Sequence, residues 1–131
     1  MQPFKNLFVL DLSQGIAGPV CTGILARQGA RVVKVEPISG DWIRATGGSR
    51  DGMCANAIAG NLNKQGIAID ATKPAGRDAL LRLADQADVV VENFTLFLAA
   101  ARRLLRQSDR REHQRRCQHY YAMKHGTLGK G

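Results

Sequence analysis

The sequence predicts an α/β protein built on a parallel sheet, with the element order β-α-β-loop-β-α-β. Four short apolar runs rich in Val, Ile and Leu alternate with segments of helical periodicity, and an acidic residue follows each run. The predicted strands are 7–10, 32–35, 67–69 and 89–91. Strands that are apolar throughout are typical of a parallel sheet covered by helices on both faces. We therefore expect an incomplete Rossmann-like sheet whose ligand loops follow the carboxyl ends of the strands.

The first strand and the first helix are joined by a glycine-rich turn. Pro19 suits the first turn of a helix, where its missing N–H is not needed, and Gly29 suits the C-terminal stop. Residues 7–36 then form one β-α-β unit of about the usual 30 residues. The second helix is predicted to begin at Thr72 as its cap, with Pro74 in its first turn.

The segment between the second and third strands has no clear periodicity. Residues 38–66 contain six glycines, which predicts a long irregular loop with room for one helical turn. A sheet of only four strands also leaves an uncovered edge.

The positive charge is concentrated at one end of the chain. The net charge is +8 over 131 residues, yet residues 1–101 hold ten Lys and Arg against nine Asp and Glu, and residues 102–131 hold nine against two. We therefore expect an α/β part over 1–95 and a basic tail over 96–131, which is helical at 96–106 and disordered beyond.

Composition also limits the class of protein. A chain that is 44% hydrophobic can bury enough surface to fold. It has no uninterrupted apolar run of about 18 residues and no signal-peptide pattern, so we expect a cytoplasmic protein without a membrane anchor. The three cysteines show no CxxC spacing and are expected to be free thiols.

The sequence does not fit two common types of binding site. Gly15, Gly18 and Gly23 after the first strand, with Glu36 ending the second, suggest a dinucleotide fold, but the spacing is not G-x-G-x-x-G and Pro19 removes one N–H. The alternative is a tight turn that only reverses the chain. A zinc site is not predicted either, because the spacing of the available ligands fits no closed site; those ligands are His113, Cys117, His119 and His125.

Five segments in order resemble the opening of family III CoA-transferases, the group that includes formyl-CoA and carnitine CoA-transferases and α-methylacyl-CoA racemases. They are DLSQGIAGPVCT at 11–22, GARVVKVE at 29–36, SGD at 39–41, NK at 63–64 leading to IDATKPAGR at 69–77, and ADVVVENF at 87–94. The resemblance covers residues 6 to 94.

The resemblance implies a coenzyme A site, with a CoA thioester and a carboxylic acid as substrates and no metal. The loop after the first strand would line the pocket, the turn after the third strand would touch the nucleotide end, and the Glu-Asn-Phe stretch would approach the cofactor. The residues implied in these three places are Gly15, Ile16 and Ala17; Ile69 and Thr72, with Lys73 close by; and Asn93 and Phe94.

The sequence also departs from the family pattern. Pro37 stands where many members have an Arg, and Thr95 begins a segment that lacks the expected Pro-Gly turn. Family members use a nucleophilic Asp that forms a mixed anhydride and then an aspartyl-CoA thioester, and that Asp lies beyond the matched region. We assign no catalytic residue, and Asp109 has no family context. Members form interlocked homodimers, for which this chain is too short, so we expect a truncated and catalytically incomplete form.

Two alternatives remain open at this point. The chain could be a nucleic-acid-binding accessory protein, because residues 102–124 mix arginines with Tyr120 and Tyr121 and such tails bind phosphate backbones. It could also be the product of a broken gene, which would bind no ligand.

Overall fold

A computed structural model describes residues 1–51 and 53–93 of the chain. Phe94 and the basic tail, with the helix predicted at 96–106, lie outside the described residues. The elements are β1 (Phe8–Asp11), α1 (Ala17–Arg27), β2 (Arg31–Glu36), a short 3₁₀ helix (Trp42–Ala45), β3 (Ser49–Arg50), β4 (Met53–Cys54), α2 (Ala55–Asn61), β5 (Gln65–Ala68), α3 (Pro74–Gln86) and β6 (Val89–Val91).

Within residues 1–51 and 53–93, four strands form the parallel sheet that the sequence predicts. Their order across the sheet is β5-β2-β1-β6, and every neighbouring pair is parallel. In the centre Val9 of β1 lies opposite Val32 of β2 on one side and Val89 of β6 on the other. Because the strands run the same way, the loops that follow them meet at one edge of the sheet.

The core lies on both faces of this sheet. Successive residues of a strand point to opposite faces, so Val9 and Leu10, both completely buried, belong to different clusters. Leu10 packs with Leu80 and Ala84 of α3, whereas Val9 packs with Ala26 at the end of α1. The prediction of a parallel sheet with helices on both faces is confirmed.

The prediction of a long irregular loop at 38–66 is wrong. This segment contains the 3₁₀ helix, the antiparallel pair β3–β4 and the helix α2. The helix α2 has only seven residues, mostly small, so it shows no clear apolar period. It packs closely on α1, because a Cβ on Gly23 would lie 3.2 Å from the carbonyl oxygen of Gly60.

Two predicted element ends are also corrected. The strand predicted at 67–69 lies at Gln65–Ala68, where it pairs with β2; as an exposed edge strand it carries no apolar run to mark its start. Thr72 does not cap α3, since its N–H and hydroxyl both donate to Oδ1 of Asp70, and Lys73 is the cap residue. Pro74 does lie in the first turn, as predicted.

The start of α3 is packed so tightly that we expect Gly76→Ala to destabilise the protein. A Cβ at this position would lie 2.0 Å from the carbonyl oxygen of Asp70, so the backbone must shift. Overpacking of this kind should lower the free energy of unfolding by about 1–3 kcal/mol in a urea titration. Gly66→Ala is the matched control, because nothing lies within 4 Å of the added methyl group. Equal stability of the two variants would contradict the close approach.

Candidate functional site

The turn between β1 and α1, residues 12–16, lies at the carboxyl edge of the sheet and is called the β1 loop here. Other elements at the same edge hold three consecutive residues of this loop. The Nζ of Lys34 in β2 donates to the carbonyl oxygen of Ser13. The Gln14 N–H donates to Oδ1 of Asn93 at 2.9 Å, and Nδ2 of Asn93 donates to the Gln14 carbonyl at 2.7 Å.

The third contact comes from a carboxylate. Asp41 is buried, and its Oδ1 accepts the N–H of Gly15 at 3.0 Å and the N–H of Ile43 at 3.1 Å. The second of these bonds caps the 3₁₀ helix. The other oxygen, Oδ2, lies 3.2 Å from Nζ of Lys34. Side chains from three places in the chain therefore fix the backbone of residues 13–15.

A second ion pair lies deeper, at the end of β1. The side chains of Lys64 and Asp11 are 1% and 0% exposed, with Nζ 2.9 Å from Oδ2. The hydroxyls of Ser13 and Thr22 each donate to this carboxylate at 2.5 Å. The same Nζ donates to the carbonyl oxygen of Pro19 at 2.8 Å. Burying such charges is tolerated only when they are paired and hydrogen-bonded, which both are here.

These surroundings set the protonation of the pair. Burial raises the pKa of the Asp11 carboxyl, but Lys34, Lys64 and the two hydroxyls outweigh burial and hold that pKa below its ordinary value of 3.8. Burial lowers the pKa of the Lys64 ammonium, and Asp11 offsets this only in part. Asp11 is thus a carboxylate at neutral pH, with its oxygens occupied by donors, which fits a structural anion and not a nucleophile.

A tryptophan lies against the β1 loop. Gly15 has a φ of +79°, and a Cβ there would lie 2.4 Å from Cζ2 of Trp42. Only a glycine fits in this conformation beneath the indole. Trp42 as a whole residue is nevertheless 55% exposed, so it adds aromatic surface beside the loop.

The features that suggested a dinucleotide fold serve internal packing. A Cβ on Gly18 would lie 2.2 Å from Cβ of Ser13, so this glycine lets the helix pass the loop. Glu36 is bound by Arg44 through two hydrogen bonds of 2.9 and 2.8 Å, and it also accepts the N–H of Asp41. The hydrogen bond from Arg44 is the main reason why the pKa of Glu36 is below its ordinary value. The acid that would hold a ribose is thus engaged by the protein itself.

The sequence-predicted positions fall into two groups at this edge. Gly15, Ile16 and Ala17 lie together at the β1 loop and the start of α1, and Asn93 is bonded to the residue before them. Thr72, by contrast, follows β5, the outer strand, and Ile69 is buried in the core beside α3. The part of the chain described here ends before Phe94.

Sequence reasoning missed four residues that shape this edge, namely Lys34, Asp41, Trp42 and Lys64. One signal was available, because a lysine in the middle of the apolar run VVKVE must be buried and paired. The partners are not readable from sequence, since Lys64 reaches an aspartate 53 residues earlier.

Residues 1–51 and 53–93 contain no group of three or more His, Cys, Asp or Glu side chains arranged to hold a metal ion. None of their helices is long and apolar enough to cross a membrane. The histidines considered for zinc lie outside the described part.

Comparison with known proteins identifies the family. A sequence model of CoA-transferase family III matches residues 4–116. The chain belongs to CoA-transferase family III. The match continues beyond residue 94, where the recognisable sequence blocks end.

Individual members of family III are similar to the chain in sequence and in structure. The chain is 41% identical over 99 residues to a succinyl-CoA:mesaconate CoA-transferase of Haloarcula hispanica, covering 72% of this chain and 25% of that protein. It is 41% identical over 90 residues to a formyl-CoA:oxalate CoA-transferase of Afipia carboxidovorans, covering 66% and 21%. A crystal structure of a CaiB/BaiF family protein from Brucella suis matches with a TM-score of 0.70 and 34% identity, over 79% of this chain and 28% of that one. The chain spans about a quarter of the length of these relatives.

The buried pair should be sensitive to loss of one partner. Lys64→Met leaves the Asp11 carboxylate buried without its nearest cation, and we expect the free energy of unfolding to fall by about 3–5 kcal/mol. Lys73→Met is the matched control, because Lys73 is exposed and lies 3.7 Å from its partner Asp70. Urea titrations of both variants at neutral pH measure the difference, and a K64M chain as stable as K73M would contradict the role given to this pair.

The lowered pKa of Asp11 predicts how stability depends on pH. Its contribution is complete above the unfolded-state value of about 3.8 and is lost as the pH falls through the lower native pKa. Asp11→Asn should therefore lose less stability than the parent chain when the pH is lowered from about 5 to about 2. Asp78→Asn, on the exposed surface of α3, is the control for the loss of one carboxylate from the chain. Equal slopes for D11N and the parent would refute the assignment.

Proposed function

We propose that residues 1–93 form the coenzyme A-recognising part of a family III CoA-transferase, whose substrates are a CoA thioester and a carboxylic acid. The observation that carries the proposal is the β1 loop. Neighbouring side chains hold three of its residues, while Ile16 and Ala17 are left exposed at the carboxyl edge of the sheet. That edge is where parallel α/β sheets bind ligands.

The chemistry of the loop suits the pantetheine arm of CoA. Ile16, the N-cap residue of α1, makes no side-chain hydrogen bond to the helix, so the N–H of the exposed Ala17 can bind a ligand oxygen. Ala17 is small enough for a close approach to the backbone. Ile16, 58% exposed, and the indole of Trp42 flank the loop with apolar surface that can cover methylene groups.

The turn after β5 suits the nucleotide end. Thr72 is exposed there, and Lys73 extends into solvent with only a 3.7 Å contact to Asp70. An exposed ammonium group of this kind can pair with a phosphate. Ile69, which is buried, would act here through its backbone and by packing under the turn.

Asn93 has capacity left for a ligand. A side-chain amide offers two donor hydrogens and two acceptor lone pairs, and Asn93 uses one of each on Gln14. We therefore keep Asn93 as a contact to CoA, with Phe94 beside it in sequence.

The transfer step needs a nucleophilic carboxylate. The buried carboxylates of the described part, Asp11 and Asp41, accept hydrogen bonds from cations, hydroxyls and backbone N–H groups on both oxygens. The family resemblance puts the nucleophile beyond residue 94. We propose that the 131-residue chain binds CoA in the cytoplasm but does not transfer it, and acyl-CoA transfer by the purified chain would overturn that part of the proposal.

Binding can be measured directly on the chain. CoA titrated into the protein should give heat in calorimetry and change the fluorescence of Trp42, the only tryptophan. Ile16→Glu puts a carboxylate where the pantetheine arm would lie and should weaken CoA binding by about tenfold or more, because the neutral arm would cover a charge that water otherwise solvates. Val20→Glu is the control, because Val20 is similarly exposed one turn further along α1.

The outcomes separate the alternatives. Loss of binding in I16E with near-parental binding in V20E supports the loop as the site. Equal loss in both variants, or no binding by the parent chain, contradicts it. Absence of CoA binding together with salt-sensitive binding of a short RNA would instead favour the basic-tail alternative.

A further inference from the structure

A buried ion pair lies directly under the β1 loop. Nζ of Lys34 is 3.2 Å from Oδ2 of Asp41, and the two side chains are 2% and 0% exposed. Lys34 comes from the middle of β2, between the buried residues Val33 and Val35. An apolar side chain at this position would suit the sheet as well as its neighbours do.

Stability alone does not explain such a pair. Replacing a buried ion pair with apolar residues of similar size is often neutral or stabilising, because desolvation offsets the attraction between the charges. What distinguishes this pair is the direction of its remaining hydrogen bonds. Lys34 donates to the carbonyl oxygen of Ser13, and Asp41 accepts the N–H of Gly15.

These two bonds fix the course of the loop. Ser13 and Gly15 are two residues apart in the loop. The Lys34 ammonium group holds the carbonyl oxygen of Ser13, and the Asp41 carboxylate holds the N–H of Gly15. Because Lys34 and Asp41 are bonded to each other, the spacing between the two anchored groups is fixed as well. Ile16 and Ala17 follow immediately, so their position is set by these anchors.

Asp41 also places the other wall of the site. By accepting the N–H of Ile43 it caps the 3₁₀ helix that carries Trp42, whose indole lies against Gly15. One carboxylate therefore holds both the loop and the aromatic surface beside it. The deeper pair also holds Ser13 through the Asp11 carboxylate, but it has a second task, because Lys64 bonds to Pro19 of α1 and Asn61 of α2 and so joins two helices.

We infer that Lys34 and Asp41 are positioning residues, which hold the β1 loop in the conformation that receives CoA. The ligand half of this inference rests on the proposed function. The structural half, that the ion pair fixes the conformation of the β1 loop, is independent of the proposed function. The two halves can therefore be tested separately.

The test is the charge-free double variant K34M/D41A, which removes both anchors without leaving a buried charge unpaired. Hydrogen exchange of the Gly15 amide should become about tenfold faster or more, relative to the amide of Leu10 in the core, and affinity for CoA should fall about tenfold or more. K34M/D41N returns an oxygen acceptor to Gly15 and should recover part of both losses.

Asp88→Asn is the matched control at the opposite edge of the sheet, where Oδ2 of Asp88 accepts the N–H of Phe8 at 2.9 Å. It should lower the free energy of unfolding yet leave CoA affinity within about twofold and the Gly15-to-Leu10 exchange ratio unchanged. A purely structural role for Lys34 and Asp41 would make the two variants behave alike.

Each result decides one question. If K34M/D41A keeps both parental CoA affinity and a protected Gly15 amide, the inference is overturned. If the parent chain does not bind CoA, the proposed function fails, and the Gly15 exchange ratio alone decides whether the pair sets the loop. Should K34M/D41A not fold, D41N measured with the same two readouts replaces it, with expected changes of about threefold.

Discussion

The Asp11 carboxylate is the contact on which the rest of the structure depends. It ends the central strand β1, it is completely buried, and a lysine from the segment before β5 and a threonine from α1 both bond to it. Such a charge is stable in the interior only while all its partners are in place. The strand, the helix and the incoming lysine therefore have to assemble together, and the β1 loop is built on top of them.

The same dependence explains the glycines at this edge. Once Ser13 has turned inward to the carboxylate, its side chain occupies the space next to α1, and position 18 can carry no Cβ. Once Asp41 has drawn in the N–H of Gly15, the indole of Trp42 lies over that residue. Both glycines follow from polar contacts that fix the loop, and neither needs a bound pyrophosphate to account for it.

The sequence predicts the sheet well because three of its four described strands contain apolar runs. Strands β1, β2 and β6 are apolar runs, and the parallel arrangement by itself brings Gly15 and Asn93 to one edge, although 78 positions separate them in the chain. The edge strand β5 is exposed along its length, so its start could not be read from apolarity. The short α2 has small residues in place of an apolar stripe.

The network of buried ion pairs at the carboxyl edge could not be predicted from the sequence, for a different reason. A buried lysine in a strand shows that a partner must exist, but not which carboxylate supplies it. Lys34 pairs with a residue seven positions later and Lys64 with one 53 positions earlier, and only the folded chain decides between them. Yet each of the five sequence blocks that resemble the family contains a member of this network or of the bonds around it, namely Asp11, Lys34, Asp41, Lys64 and Asn93. The recognisable segments are thus the ones that meet at the carboxyl edge, which gives a physical reason why these segments carry the resemblance while the stretches between them do not.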